Sequence, residues 1–339
     1  MYLHYYEQLN KEQQKAYYAI KEGLLNLQDS FAVPMLSQKE LSDIYFLIRM
    51  DSPEIFYSVT FSYKYYANST AVEMVPQYLF SKDKIREHRQ AMESRVKKLA
   101  RQAASLDEKG KELFIHDFIV ENVKYDKLKK PYSHEIIGAL GNGVAVCEGI
   151  AKAVKILCDE LNIWCIIALS EANPEKGIKY RHAWNVIRIN GQYYHLDVTF
   201  DNTLSRDGTV RYDYVNLSDK QIFRDHEAVI WKIPACSDND HFYYKEKKIS
   251  WTTMEEVRNR TKQAVKKGKV LLFHWRGGYL TKEILTQLME IFDEEAGAKE
   301  KTAYVSVNWP QAVLRVRFED GIGEEQLEME EPNEGEKMS

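Results

Sequence analysis

The chain has no run of about 18 apolar residues, so no transmembrane helix is expected. Its first residues, Met-Tyr-Leu-His-Tyr-Tyr-Glu-Gln, lack the basic stretch and following apolar stretch of a signal peptide. The expectation is a cytoplasmic protein if the chain is full length, and a secreted or surface-associated one if a leader has been removed, with no membrane partner. Cysteine is scarce, with four in 339 residues (Cys147, Cys158, Cys165 and Cys236). That is too few for a disulfide scaffold, and none stands in the Cys-x-x-Cys pair of a thiolate zinc site. Charge of one sign is also lacking. The formal net charge is -4 with the two signs mixed, which gives no general attraction to nucleic acid. Acid accumulates only at the end, where residues 319–339 carry nine acids and one base, Lys337. This predicts a disordered, solubilising tail over 321–339.

What is present supports several packed cores. The hydrophobic fraction is 44%, and 339 residues suggest two or three domains. Helical patterns cover 10–27, 37–49, 81–104, 105–123 and 148–161. Asn10 is placed to cap the first, Ser37 with Glu40 to form a capping box on the second, and Ser105 with Glu108 to do the same on the fourth. Strand patterns rich in Tyr, Val, Phe and Thr fall at 30–33, 55–66, 71–78, 163–169, 180–189, 192–200, 211–216 and 241–245. A short helix is expected from Ser133 to about Gly141. After Ser250 the order is helix 252–266, strand 269–274, helix 281–296, then strands 302–309 and 312–318. This repeats the order read over 10–80, so the two ends are expected to be related small α/β units. The division expected is an N-terminal α/β unit over 1–104 ending in a long basic helix, a central core over 105–248, a C-terminal α/β domain over 249–320, and the tail. The basic helix is read as a solvated outer face.

The chemistry concentrates in three residues. Cys147 stands in Gly-Asn-Gly-Val-Ala-Val-Cys-Glu-Gly, just before a helical run. A thiol there feels the positive end of the helix dipole, which favours the thiolate, and its own backbone N–H could help hold an oxyanion. His182 follows in Arg-His-Ala-Trp-Asn and Asp197 in His-Leu-Asp-Val-Thr. Between them, Asn190-Gly191 is the signature of a two-residue type I′ hairpin turn. With those two in the loop, Ile189 faces Gln192, Trp184 faces Asp197, and His182 faces Thr199. His182 and Asp197 then share a face as diagonal neighbours, with Cβ atoms roughly 6–8 Å apart. A thiol, a base and an orienting carboxylate are the parts of a nucleophilic site. The packing of helix on hairpin does not follow from the spacing.

Other uses of these residues compete. Cys158, Cys165 and Cys236 read as small buried hydrophobes. His195 lies on the Asp197 face and is a rival partner for that carboxylate, while Trp184 reads as a wall of the site or core. A mixed Cys, His and Asp zinc site is an alternative use of the three, although no metal is assigned. Asp201, Asn202 and Asp207 lack the spacing of a calcium loop and read as a solvated loop.

In order, several stretches resemble bacterial proteins of the transglutaminase-like superfamily. They are Ile115-His116-Asp117-Phe118 through Val123-Lys124-Tyr125-Asp126, Gly138-Ala139-Leu140-Gly141-Asn142-Gly143-Val144-Ala145-Val146-Cys147-Glu148-Gly149, His182-Ala183-Trp184-Asn185, Tyr194-His195-Leu196-Asp197-Val198-Thr199, and Tyr214-Val215-Asn216-Leu217-Ser218-Asp219. The resemblance covers about 105–235 and leaves 1–104 and 240–320 unmatched. It implies an α+β, papain-like core in which a helix carrying the cysteine packs on an antiparallel sheet. Cys147 would be the nucleophile, His182 the base and Asp197 the orienter, with no cofactor. The implied activity is thiol-dependent acyl transfer on protein or peptide substrates, foremost as a cysteine peptidase or amidase. A crosslinking transglutaminase and a non-catalytic binding or scaffold protein are the alternatives. The Cys-x-x-Cys pairs of the related peptide N-glycanases are absent, and so is any calcium motif.

Overall fold

The computed structural model describes residues 2–176, 178, 180–205, 208–321 and 326–330. The N-terminal part runs α1 (Lys11–Leu25), β1 (Phe31–Pro34), α2 (Gln38–Asp51), β2 (Ser58–Tyr65), β3 (Ala71–Tyr78) and α3 (Lys82–Ala103). The central part runs α4 (Glu108–Asn122), β4 (Lys124–Tyr125), β5 (Val144–Ala145), α5 (Cys147–Glu160), β6 (Cys165–Ser170), β7 (His182–Ile189), β8 (Gln192–Leu196), α6 (Val198–Leu204), β9 (Val215–Leu217), α7 (Asp219–Ile222) and α8 (Tyr243–Glu246). The last part runs β10 (Ser250–Trp251), α9 (Met254–Lys267), β11 (Leu271–Trp275), α10 (Lys282–Gly297), β12 (Lys301–Asn308), β13 (Val313–Asp320) and β14 (Gln326–Glu330). Among the described residues no helix is long and apolar enough to cross a membrane.

The mixed α+β class holds. Four strands make a central antiparallel sheet in the order β6-β7-β8-β9, and α5 packs on β6 and β7. The N-terminal strands order as β1-β3-β2, and β11, β13 and β12 take the same order within a five-stranded sheet edged by β10 and β14. Each set follows helix, strand, helix, strand, strand, so the two ends share topology as well as element order. One apolar core runs from Ala16 through Val154 to Val215, joining α1, α2 and α3 to α5. A separate core, from Trp251 to Val316, serves the last sheet and its two helices.

Local chemistry explains where the sequence reading holds and where it shifts. Asn10 and Ser37 form reciprocal capping boxes with Gln13 and Glu40. The cap of α4 is Asp107 rather than Ser105: its carboxylate accepts the Gly110 N–H at 2.8 Å. In place of one short helix after Ser133 there is a 3-10 turn over Pro131–His134 and a π-helix over Ile137–Asn142. The strand expected over 192–200 stops at Leu196. The Asp197 carboxylate accepts the N–H groups of Thr199 (2.9 Å) and Phe200 (3.1 Å), a cap that overrides the β-branched run Val198-Thr199 and starts α6. The strand expected at 241–245 is instead α8, because the Tyr244 hydroxyl turns inward to Asp213 at 2.7 Å and the chain coils to bury it. The strand expected at 211–216 forms only over Val215–Leu217.

The acidic end also departs from the expected disordered tail. Residues 326–330 pair in parallel with β12, and Glu330 accepts from the buried Arg211 guanidinium at 2.6 Å. A buried cation gives one acid of this segment a fixed partner. Residues 331–339 lie outside the described residues.

Candidate active site

Cys147 is the first residue of α5, after Val146 in extended conformation (φ -94°, ψ 177°). The helix is buried on nearly all sides, with Ile150, Val154, Leu157 and Cys158 in the core together with Lys152 and Lys155. Gly149 makes this approach possible. A Cβ there would collide with the Ser133 carbonyl oxygen, so the 131–134 turn can lie across the first turn of α5 only if the residue is glycine. The Asn185 side chain, from β7, donates to the Ala151 carbonyl at 3.0 Å and ties strand to helix. Cys147 is 7% exposed and packs in a small apolar cluster with Tyr5, Leu47, Met50, Ala151, Ile167, Leu169 and Ala183. Ala183, which follows His182 on β7, belongs to the same cluster.

The hairpin forms in the expected register. Asn190 (φ 51°) and Gly191 (φ 83°) make the turn, and Ile189 pairs with Gln192. His182 and Asp197 meet, with His182 Nε2 2.6 Å from Asp197 Oδ2. Both residues are buried, and Asp197 has no exposure at all. Burial alone would push the Asp197 carboxyl up. The His182 charge and hydrogen bond, reinforced by His226, overcome this and hold it well below the usual carboxylate range. The Trp184 ring stacks on His182 with centroids 5.6 Å apart and only 1% of the residue exposed, so it is a buried backing to that imidazole.

His195 does not compete for Asp197. Its Nε2 faces Asp219 Oδ1 at 2.8 Å, and its Nδ1 accepts the Trp184 indole N–H at 3.0 Å. Indole nitrogen is a donor only, so Nδ1 is bare and the ring proton sits on Nε2. Asp201 and Asn202 are also not a solvated loop. Asp201 is fully buried in α6 and accepts from the backbone N–H of Asp213 (2.7 Å) and Tyr214 (3.2 Å), with His116 Nε2 at 3.1 Å. Asn202 donates to the carbonyls of Val120 and Val123. Asp207 lies outside the described residues.

Two residue groups at the site were not legible in the sequence. The first is His226, whose Nε2 lies 2.9 Å from the same Asp197 Oδ2 that His182 uses. It follows α7 in a loop with no periodicity, and its only local signal is the adjacent acid Asp225. The second is a buried ion cluster under the first turn of α5. Lys152 Nζ lies 2.8 Å from Glu135 Oε2 and 2.7 Å from Glu148 Oε1, and Arg49 of α2 bonds the same two carboxylates. Burial would raise the Glu148 carboxyl, but the Lys152 and Arg49 charges depress it below the usual range.

Among the described residues, two clusters place three metal-type donors within 4.8 Å of one another: His182, Asp197 and His226, and His195, Asp219 and Cys236. The second has poor ligand chemistry. The His195 tautomer points a proton, not a lone pair, at Asp219, and burial pushes the Cys236 thiol up. None of the four cysteines is in a disulfide.

Residues 97–198 match the model of the Transglutaminase-like superfamily. The superfamily is one of thiol-dependent enzymes. Among solved structures, one described as a TGase is similar at 9% identity and a TM-score of 0.29, over 67% of this chain and 66% of its own. A second, a "Putative Cysteine Protease from Cytophaga hutchinsonii", is similar at 17% identity and a TM-score of 0.27, over 41% of this chain and 61% of its own. The chain thus spans less than two thirds of either structure. The curated proteins give no match.

Proposed function

We propose that this protein is a cysteine peptidase or amidase that acts on protein or peptide substrates through a thioester at Cys147. The observation that carries the reading is the buried 2.6 Å contact between His182 Nε2 and Asp197 Oδ2, at the start of the strand on which the Cys147 helix packs. With Nε2 committed to Asp197, Nδ1 of His182 is the nitrogen that takes the thiol proton. The thiolate adds to the substrate carbonyl carbon, and the oxyanion is met by N–H groups at the start of α5. His182 returns its proton to the departing amine as the C–N bond breaks, leaving the thioester. Water then adds to the thioester with His182 as base, and Cys147 departs as the thiolate and is reprotonated. Leu9, Phe46, Ile230 and Trp231, partly buried around the Cys147 cluster, offer an apolar wall for the acyl side.

Alkylation by iodoacetamide across pH tests this. Cys147 should react well below the pKa of about 8.5 of an ordinary thiol, and His182→Ala should abolish the advantage. Labelling of Cys147 no faster than Cys236 overturns the reading. Mass analysis of a peptide pool with added amine then reports hydrolysis as shortened or deamidated peptides, and amine transfer as conjugates.

A further inference from the structure

His226 has a carboxylate at each ring nitrogen. Its Nε2 is 2.9 Å from Asp197 Oδ2, and its Nδ1 is 2.8 Å from Asp225 Oδ1. Both carboxylates are already held as acceptors by other groups. Asp197 takes the N–H groups of Thr199 and Phe200 on Oδ1, and Asp225 takes the Tyr214 hydroxyl at 2.6 Å and the Gln311 amide at 3.2 Å on Oδ2. A neutral imidazole has one N–H and one bare nitrogen, and a bare nitrogen facing a carboxylate oxygen is repulsive. Only the doubly protonated ring satisfies both sides. Burial by itself would favour the neutral ring, but the hydrogen bonds and charges of Asp197 and Asp225 push His226 up.

The Asp197 carboxylate is therefore divided between two histidines. The His182 and His226 ring centroids are 5.1 Å apart, with an interplanar angle of 63°. We propose that His226 is a fixed imidazolium that shares Asp197 with His182 and lowers the basicity of His182, setting the pH at which the thiol's base works. This rests on the triad reading above. His226 touches no reacting atom in that scheme and is a positioning residue that acts through Asp197. A lone His182–Asp197 pair would hold the His182 proton tightly and release it poorly to a departing amine. Half of that carboxylate's pull, spent on a second cation, brings proton uptake and release closer to neutral pH.

The other titratable groups around His226 do not cancel the effect. His195 is neutral by its tautomer, and Tyr214 donates to Asp225 with its ring 5.8 Å from His226. Asp225 offsets part of the imidazolium charge from the far side. Two unit charges about 5 Å apart at an effective dielectric near 20 shift one another by about 2 pH units, and the Asp225 counter-charge reduces this to about 1.

Two measurements test the inference. In protein labelled with 15N-histidine, both His226 ring nitrogens should read as protonated from pH 6 to 8. The signals are assigned by their loss in His226→Gln or their displacement in Asp225→Asn. One protonated and one bare nitrogen at pH 7 overturns the proposal. In the second measurement, the rate of Cys147 alkylation against pH should show a step where His182 loses its proton, and His226→Gln should move that step up by about 1 pH unit. A purely structural role would slow the reaction without moving the step, and that outcome also overturns the proposal. Should His226→Gln fail to fold, Asp225→Asn carries the test: it should bring His226 titration into the pH 6–9 window. Slow labelling of Cys147 in the unaltered protein overturns the triad reading, and the tuning with it. A fast Cys147 whose step does not move in the variant overturns the tuning alone.

Discussion

Lys152→Met isolates the ion cluster that supports the first turn of α5. The Lys152 ammonium has no exposure and three acceptors: Glu135 Oε2 at 2.8 Å, Glu148 Oε1 at 2.7 Å and the His134 carbonyl at 3.1 Å. Together with Arg49 the cluster holds two cations and two anions, so it is neutral. Methionine keeps most of the aliphatic stem but leaves two buried carboxylates facing one guanidinium, with only the partly exposed His134 ring, 3.1 Å from Glu148 Oε2, beside them. Removing one partner of a buried pair typically costs about 3–5 kcal/mol, because the remaining charge stays desolvated. The sign with pH follows from Glu148. Its folded-state carboxyl is depressed, so its contribution is present above the unfolded pKa of about 4.3 and fades as pH falls further. Without Lys152 that depression weakens, and Glu148 can take up a proton under mild acid. The loss in Lys152→Met should therefore be about 3–5 kcal/mol at pH 7.5 and smaller at pH 5. Urea unfolding followed by tryptophan fluorescence at the two pH values measures both. A loss under about 1 kcal/mol at pH 7.5, or one that does not narrow at pH 5, would refute the argument that an uncompensated buried charge is the cause.

Three further perturbations follow from the same structure. Glu112 is buried, its Oε1 is among the described side-chain atoms with no hydrogen-bond partner, and burial pushes its carboxyl up to about 7 against the Asn216 hydrogen bond. The native state binds this proton more tightly than the unfolded chain, so stability should fall as pH rises from about 4.3 to 7 by about 3 kcal/mol, and Glu112→Gln should flatten that part of a melting-temperature series. Gly149→Ala should destabilise by more than about 2 kcal/mol in urea unfolding, because the new methyl meets the Ser133 backbone oxygen rather than a movable side chain. Ending the chain at Gly321 removes β14 and the Glu330 partner of Arg211; hydrogen exchange of β12 amides should accelerate, and unchanged protection would show that the parallel pairing adds no stability.

What could be read from the chain was short in range. The Asn190-Gly191 turn set the register that brings His182 to Asp197, and the Asn10 and Ser37 caps started two helices, because each signal lies within a few residues of what it controls. The reading failed where a side chain bonds its own backbone against the local propensity, as Asp197 does in ending β8 four residues early. It failed again where partners are distant. Arg49 meets Glu148 across 99 positions and His226 reaches back 29 to Asp197, and neither leaves a period or a spacing to find. These distant partners decide the electrostatics of the candidate site. The family match ends at residue 198, yet the second histidine on Asp197 comes from beyond it, and one of the two cations under α5 comes from before it. The N-terminal helices also share a core with α5, and Tyr5, Leu47 and Met50 belong to the same apolar cluster as Cys147. The chemical unit is therefore larger than the matched segment. The flank on one side and the loop on the other supply charges that the Cys147, His182 and Asp197 arrangement does not contain.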